Sequence, residues 1–130
     1  RRGIRGGRTV RPLQRILIVE DQADLRLLIR LTLEPLGVEL REVANGMEAL
    51  LVARSFKPDV LILDVMLPGG VDGYQICQAI KQDPLTSSTR VIMVSARGQK
   101  ADIERGYQAK ADRYLVKPFS PAQLLQEVGA

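Results

Sequence analysis

Four short apolar runs, each closed by a polar residue able to handle an anion or a metal ion, constrain this chain more than anything else in it. Ile16-Leu17-Ile18-Val19 runs into Glu20-Asp21, Val60-Leu61-Ile62-Leu63 into Asp64, Val91-Ile92-Met93-Val94 into Ser95, and Tyr114-Leu115-Val116 into Lys117-Pro118. Runs this short and this rich in Val and Ile read as strands buried on both faces, as in a parallel sheet. In an open parallel sheet, ligands bind outside the carboxyl ends of the strands. The pattern therefore brings three carboxylates, one hydroxyl and one lysine to a single sheet edge, a set suited to a divalent cation and a phosphoryl group.

Helical patterns fill the gaps between the runs. Leu25, Leu28, Ile29, Thr32 and Leu36 share a helical face, and Gly37 suits its C-terminal cap. Glu39 to Val43 is a short, more polar strand, expected at the sheet edge. Asn45-Gly46 opens a second helix that Lys57-Pro58 closes. Asp72, with Gln75 three residues on, is the start of a capping box for a third helix, which Asp83-Pro84 ends. Residues 99–109 form a fourth helix, weakened by Gly106. Ser120-Pro121-Ala122-Gln123 repeats the cap signature, with Pro at the first helical position. The sum is an α/β, (βα)5 chain with right-handed crossovers.

At 130 residues the chain is one domain with a single core. Its net charge of +4 misleads: six of the 19 basic residues lie at or before Arg15, and no acid precedes Glu20. Beyond that point 13 basic residues face 15 acids, so the folded part is mildly acidic behind a basic leader. Residues 1–14, with three glycines and five arginines, read as a flexible linker or tail, and residues 15–130 as the domain. No aromatic is interleaved among those arginines for stacking on bases, so nucleic-acid contact through this domain is not expected. Opening on Arg and ending soon after the start of a helix, the chain is expected to be a segment of something longer.

Cys77 is the only cysteine, spaced with Ile80 for one buried helix face, which excludes a disulfide framework and fits a reducing, cytoplasmic setting. With no histidine, imidazole metal sites and histidine-based triads are excluded, and the chain cannot carry a phosphohistidine of its own. No apolar run approaches the roughly 18 residues of a membrane span.

Asp64 is the first candidate for chemistry. A carboxylate after four apolar residues sits at a rigid, partly desolvated edge, from which it can attack phosphorus in line and form an acyl phosphate. Glu20 and Asp21 end the neighbouring strand. Three carboxylates so close repel one another, a cost that a hard divalent cation removes. Oxygen-only ligands with room for waters and a phosphate oxygen favour Mg2+, with Mn2+ as a substitute. Lys117 offers positive charge to phosphoryl oxygens, and Ser95 a hydroxyl. Tyr114, three residues before Lys117, reads as a partly exposed edge aromatic.

Taken together, Val19-Glu20-Asp21, Leu63-Asp64-Val65-Met66-Leu67-Pro68, Asp72-Gly73, Val94-Ser95-Ala96 and Tyr114-Leu115-Val116-Lys117-Pro118-Phe119 resemble the receiver domain of two-component response regulators, from about Arg15 to Val128. The resemblance implies a flavodoxin-like strand order 2-1-3-4-5. It implies that Asp64 is the phosphoacceptor, and that Glu20, Asp21, Asp64 and the main-chain carbonyl of Met66 hold the metal. It implies that Lys117 and Ser95 stabilise the phosphoryl group, that Ser95 and Tyr114 act as the switch, and that the Lys117-Pro118 bond is cis. The implied partners are a sensor histidine kinase or phosphotransfer protein, an output domain in a full-length protein, and a second copy meeting this one through helix 4, strand 5 and helix 5. Catalysis would extend only to the domain's own phosphorylation and its reversal.

Some positions depart from the family pattern. In the loop Pro68-Gly69-Gly70-Val71-Asp72 the Asp of the Asp72-Gly73 pair stands four residues after Pro68, where the family usually has three. Lys110 stands where glycine is common, and Gln123 where one large transcription-factor subfamily carries an acid. Three other functions fit the topology less well. A phosphate-independent pseudo-receiver, acting as an interaction module, would not need Asp64, Glu20-Asp21 and Lys117 intact. A flavin-binding electron carrier would need a phosphate loop where Glu20-Asp21-Gln22 repels phosphate. An aspartyl phosphohydrolase would want an acid at the position of Met66.

Overall fold

The computed structural model describes residues 12–129, together with the backbone of residues 4–5 and 8–9. Those two short segments pair antiparallel, Ile4 with Thr9 and Arg5 with Arg8. The rest of the expected linker over residues 1–11 lies outside the described residues.

Five parallel strands form the sheet: β1 (Arg15–Val19), β2 (Glu39–Val43), β3 (Val60–Asp64), β4 (Arg90–Ser95) and β5 (Arg113–Val116). Their spatial order is β2-β1-β3-β4-β5, the order expected. The helices are α1 (Ala23–Leu33), α2 (Gly46–Phe56), α3 (Gly73–Gln82), α4 (Lys100–Gln108) and α5 (Pro121–Gly129).

Alternation along the inner strands sorts their side chains into two layers. Leu17, Val19, Leu61, Leu63, Val91 and Met93 pack against Ala49, Ala53 and Phe56 of α2, Ile76, Cys77 and Ile80 of α3, and Ala109 after α4. Ile16, Ile18, Val60, Ile62, Ile92 and Val94 pack against Ile29 and Leu33 of α1 and Leu124 and Val128 of α5. Covering both faces explains why the inner strands are continuous apolar runs. β2 is covered less well and sits at an edge, with Glu39, Arg41 and Glu42 exposed.

The caps are as the sequence suggests. Asn45 accepts from the Glu48 N–H at 2.9 Å. Asp72 and Gln75 form a reciprocal capping box at 2.9 and 3.0 Å, and Ser120 and Gln123 another at 3.1 and 2.7 Å. Cys77 is fully buried, its thiol donating to the Ala109 carbonyl at 3.2 Å, and burial pushes its pKa up to about 11.

One helix face is corrected. The buried stripe of α1 is Ile29 and Leu33, with Leu25 packed beside them, while Leu28 and Leu36 are each 43% exposed. Leucines surround this helix, so its period alone does not fix which side faces inward. Pro35 then ends the α-helix. Glu34–Leu36 becomes a 3-10 turn closed by Gly37 at φ 72°, which swings Leu36 outward. α4 is one residue shorter at each end than the expected 99–109.

Candidate functional site

Register carries the chemical residues to one edge. Val19 lies beside Val43 and Leu63, Asp64 beside Val94, and Ser95 beside Val116. The ladder continues one step past the strands: Glu20 N–H donates to Val43 O at 3.1 Å, Val65 N–H to Val94 O at 3.1 Å, and Lys117 N–H to Ser95 O at 2.8 Å. These bonds hold Glu20 and Lys117 as extensions of a rigid sheet and Asp64 as the last residue of β3. Gly73 brings α3 against the same edge. Its N–H donates to Val65 O at 2.8 Å, and a Cβ there would collide with Asp64 O, so only glycine admits this approach.

At the edge, Lys117 Nζ lies 3.2 Å from Glu20 Oε1 and 3.3 Å from Asp64 Oδ2. Glu20 is fully buried and Asp64 nearly so, whereas Asp21 stands exposed at the rim. One carboxylate oxygen from each of the three lies within 4.8 Å of the others. Burial first, and then the neighbouring Asp64 carboxylate, push the pKa of Glu20 up to about 7, against the opposing pull of the Gln22 N–H and Lys117. One lysine against three carboxylates leaves an excess of negative charge. The donor set is hard, oxygen-only and convergent, with an open rim at Asp21, and it suits a small divalent cation that keeps some of its waters. Met66 lies two residues after Asp64 with its side chain half exposed, and its N–H donates to Asp64 Oδ1 at 3.0 Å.

Ser95 and Tyr114 meet on one loop residue. Ser95 Oγ, buried at the end of β4, accepts from the Arg97 N–H at 3.0 Å, and Tyr114 Oη donates to the Arg97 carbonyl at 2.7 Å. The Tyr114 ring lies against Gly106, where a Cβ would come 2.7 Å from Cδ2, so the glycine that weakens α4 makes room for this aromatic. Burial of the phenol pushes its pKa up to about 12. The structure thus joins Glu20, Asp21, Asp64 and Lys117, places Ser95 on the adjacent strand end, and sets Tyr114 one loop away. The Lys117-Pro118 bond is cis.

In the loop from Pro68 to Asp72, Gly69 and Gly70 adopt φ 91° and 78°. Lys110 adopts φ 76°, the left-handed conformation that glycine favours. Sequence reasoning passed over Arg26, whose guanidinium reaches back from α1 to the Glu20 carbonyl at 2.7 Å. Its place in the first turn after Glu20-Asp21 was the available signal.

Comparison with known proteins agrees with this geometry. The family profile described as the response regulator receiver domain matches residues 16–129. The phosphate regulon transcriptional regulatory protein PhoB of Rhizobium meliloti (strain 1021) is 42% identical over 118 residues, covering 91% of this chain and 52% of that protein. The DNA-binding dual master transcriptional regulator RpaA of Synechocystis sp. (strain ATCC 27184 / PCC 6803 / Kazusa) is 36% identical over 118 residues, covering 91% of this chain and 48% of that protein. The chain thus spans about half the length of these relatives. The chemotaxis response regulator CheY4 of Vibrio cholerae superposes with a TM-score of 0.84 at 29% identity, over 91% of this chain and 98% of that one. With the fold, the strand-end acids and the family profile in agreement, this chain belongs to the receiver-domain family of two-component response regulators.

Proposed function

We propose that Asp64 accepts a phosphoryl group from a histidine kinase or phosphotransfer protein in an Mg2+-dependent reaction, and that the phosphorylated domain presents a changed surface to an output partner. The observation that carries this reading is the nearly buried Asp64 carboxylate, 3.3 Å from Lys117 Nζ inside a cluster of three acids.

An Asp64 oxygen attacks phosphorus, the P–N bond of the donor phosphohistidine breaks, and the imidazole leaves with its electron pair. Lys117 lies where it can offset charge on the phosphoryl oxygens. Glu20, Asp21, Asp64 and the Met66 carbonyl would hold Mg2+, with Mn2+ as a substitute. When bound, the cation supplies charge neutralisation to carboxylates and phosphoryl oxygens alike. Ser95 bonds to the phosphoryl group once it is attached. Because Ser95 Oγ now holds the Arg97 N–H, that move disturbs the loop residue to which Tyr114 is also bonded. Hydrolysis by water returns the domain to its starting state, and no separate substrate is turned over.

Among the described residues no helix is long and apolar enough to cross a membrane, in keeping with a cytoplasmic setting. The two relatives are transcriptional regulators about twice as long as the matched segment, which supports an output domain in a longer protein. In this reading residues 1–14 serve as a linker or tail to the domain of residues 15–130. Pairing with a second copy through α4, β5 and α5 belongs to the same proposal.

Acetyl phosphate tests the chemistry directly. Intact-mass measurement should show phosphoryl uptake by the wild type with Mg2+, little without it, and none in Asp64→Asn. Equal uptake in Asp64→Asn would refute the assignment. A wild type that takes up none would leave a phosphate-independent interaction module.

A further inference from the structure

The peptide that joins Glu20 to Asp21 is held by a side chain outside the acidic cluster. Arg26 Nη1 donates to the Glu20 carbonyl at 2.7 Å. On the same residue the N–H is already committed to Val43 O at 3.1 Å. Arg26 is itself braced: its Nε lies 3.4 Å from Glu42 Oε1, and Arg30 Nε lies 3.0 Å from Glu42 Oε2. The guanidinium therefore spans the Glu20 carbonyl and the edge strand β2 with two of its fixed donors, a geometry that a flexible ammonium does not reproduce.

This carbonyl matters because of its peptide plane. Adjacent side chains on an extended strand point to opposite faces, yet Glu20 and Asp21 place oxygens within 4.8 Å of each other and of Asp64. The backbone must turn between them, and the orientation of the Glu20-Asp21 peptide sets where Asp21 stands relative to the buried Glu20. We propose that Arg26 is a positioning residue that fixes this turn and so sets the cation affinity of the acidic cluster, with Glu42 holding Arg26 in place. The inference rests on the proposed cation site.

The sign of one measurement separates positioning from charge. If Arg26 were only a nearby cation, removing it would strengthen Mg2+ binding by lifting a repulsion. If it positions the carboxylates, removing it weakens binding, and loss of such outer contacts costs on the order of 10–100-fold in metal affinity. Calorimetric titration with MgCl2 of the wild type, Arg26→Met, Arg26→Lys, Glu42→Gln and the control Glu39→Gln, with the Mg2+-free melting temperature of each, makes the test. The expected result is at least roughly tenfold weaker binding in Arg26→Met, smaller losses in Glu42→Gln and Arg26→Lys, and no change in Glu39→Gln, which alters only the exposed Glu39–Arg41 pair. Unchanged or tighter binding in Arg26→Met overturns the proposal. Should Arg26→Met fail to fold, unchanged affinity in a folded Arg26→Lys and Glu42→Gln overturns it equally. A wild type that binds no Mg2+ overturns the cation site itself, and the proposal with it.

Discussion

Burial and company decide what Glu20 can do. Its carboxyl is fully buried between a neighbouring carboxylate and a lysine, and its pKa rises to about 7 from an ordinary 4.5. Because the folded pKa lies above the unfolded one, the protonated form stabilises the fold. That contribution is complete below about pH 4.5 and is lost as the pH rises towards 7. Mg2+ would bind the ionised form, so its effect has the opposite slope. The rise in melting temperature produced by Mg2+ should be small at pH 5 and grow through about pH 7, measured by differential scanning calorimetry across that range; a constant rise would contradict the account. Lys110 is the counterpart outside the site. At φ 76° it pays a left-handed conformation that glycine adopts freely. Lys110→Gly should stabilise the domain by about 0.5–1 kcal/mol, a few degrees in Tm, because relief of strain exceeds the added freedom of the unfolded chain. A lower Tm would mean that the lysine side chain stabilises the turn.

Among the elements, α1 shows best what periodicity does and does not settle. Its leucines at 25, 27, 28, 31 and 33 surround the axis, and packing selects the stripe through Ile29 and Leu33. Leu33→Ala should cost about 2–5 kcal/mol, as for other fully buried leucines. Leu28→Ala, at a position 43% exposed, should cost well under half as much. Urea unfolding of both variants checks the order, and the reverse order would restore the face that the sequence suggested. The three inner strands were legible because an apolar run of four residues, buried on both faces, admits few readings. The caps were legible because Asn45, Asp72 and Ser120 each act within four residues. Gly106 was legible only as a weak point: its use appears when Tyr114, on a different element, packs against it. Arg26 was missed for the same reason, since its reach to Glu20 depends on how α1 is rotated about its axis.

Across the whole molecule, stability and chemistry lie at opposite ends of the sheet. The amino ends of the strands carry a network of paired polar groups. Lys81 Nζ donates to Thr89 O and Asp112 Oδ2, each at 2.8 Å, and Asp112 Oδ2 also accepts the Val91 N–H at 2.8 Å. Arg90 donates to the Glu127 and Val128 carbonyls at the end of α5, at 3.2 and 3.3 Å, where a cation also offsets the helix dipole. At the carboxyl ends three acids face one lysine. Strand order came from the family resemblance, but the site residues were readable from where each run stops. The relatives' own length, about twice the matched segment, was not. The central claim is that Asp64 forms the acyl phosphate. Borohydride reduces an aspartyl phosphate to homoserine, so peptide mapping after acetyl phosphate, Mg2+ and borohydride treatment names the residue. The account predicts homoserine at position 64 and intact residues at Glu20, Asp21 and Ser95; a modification at any of those three, with Asp64 untouched, would contradict it.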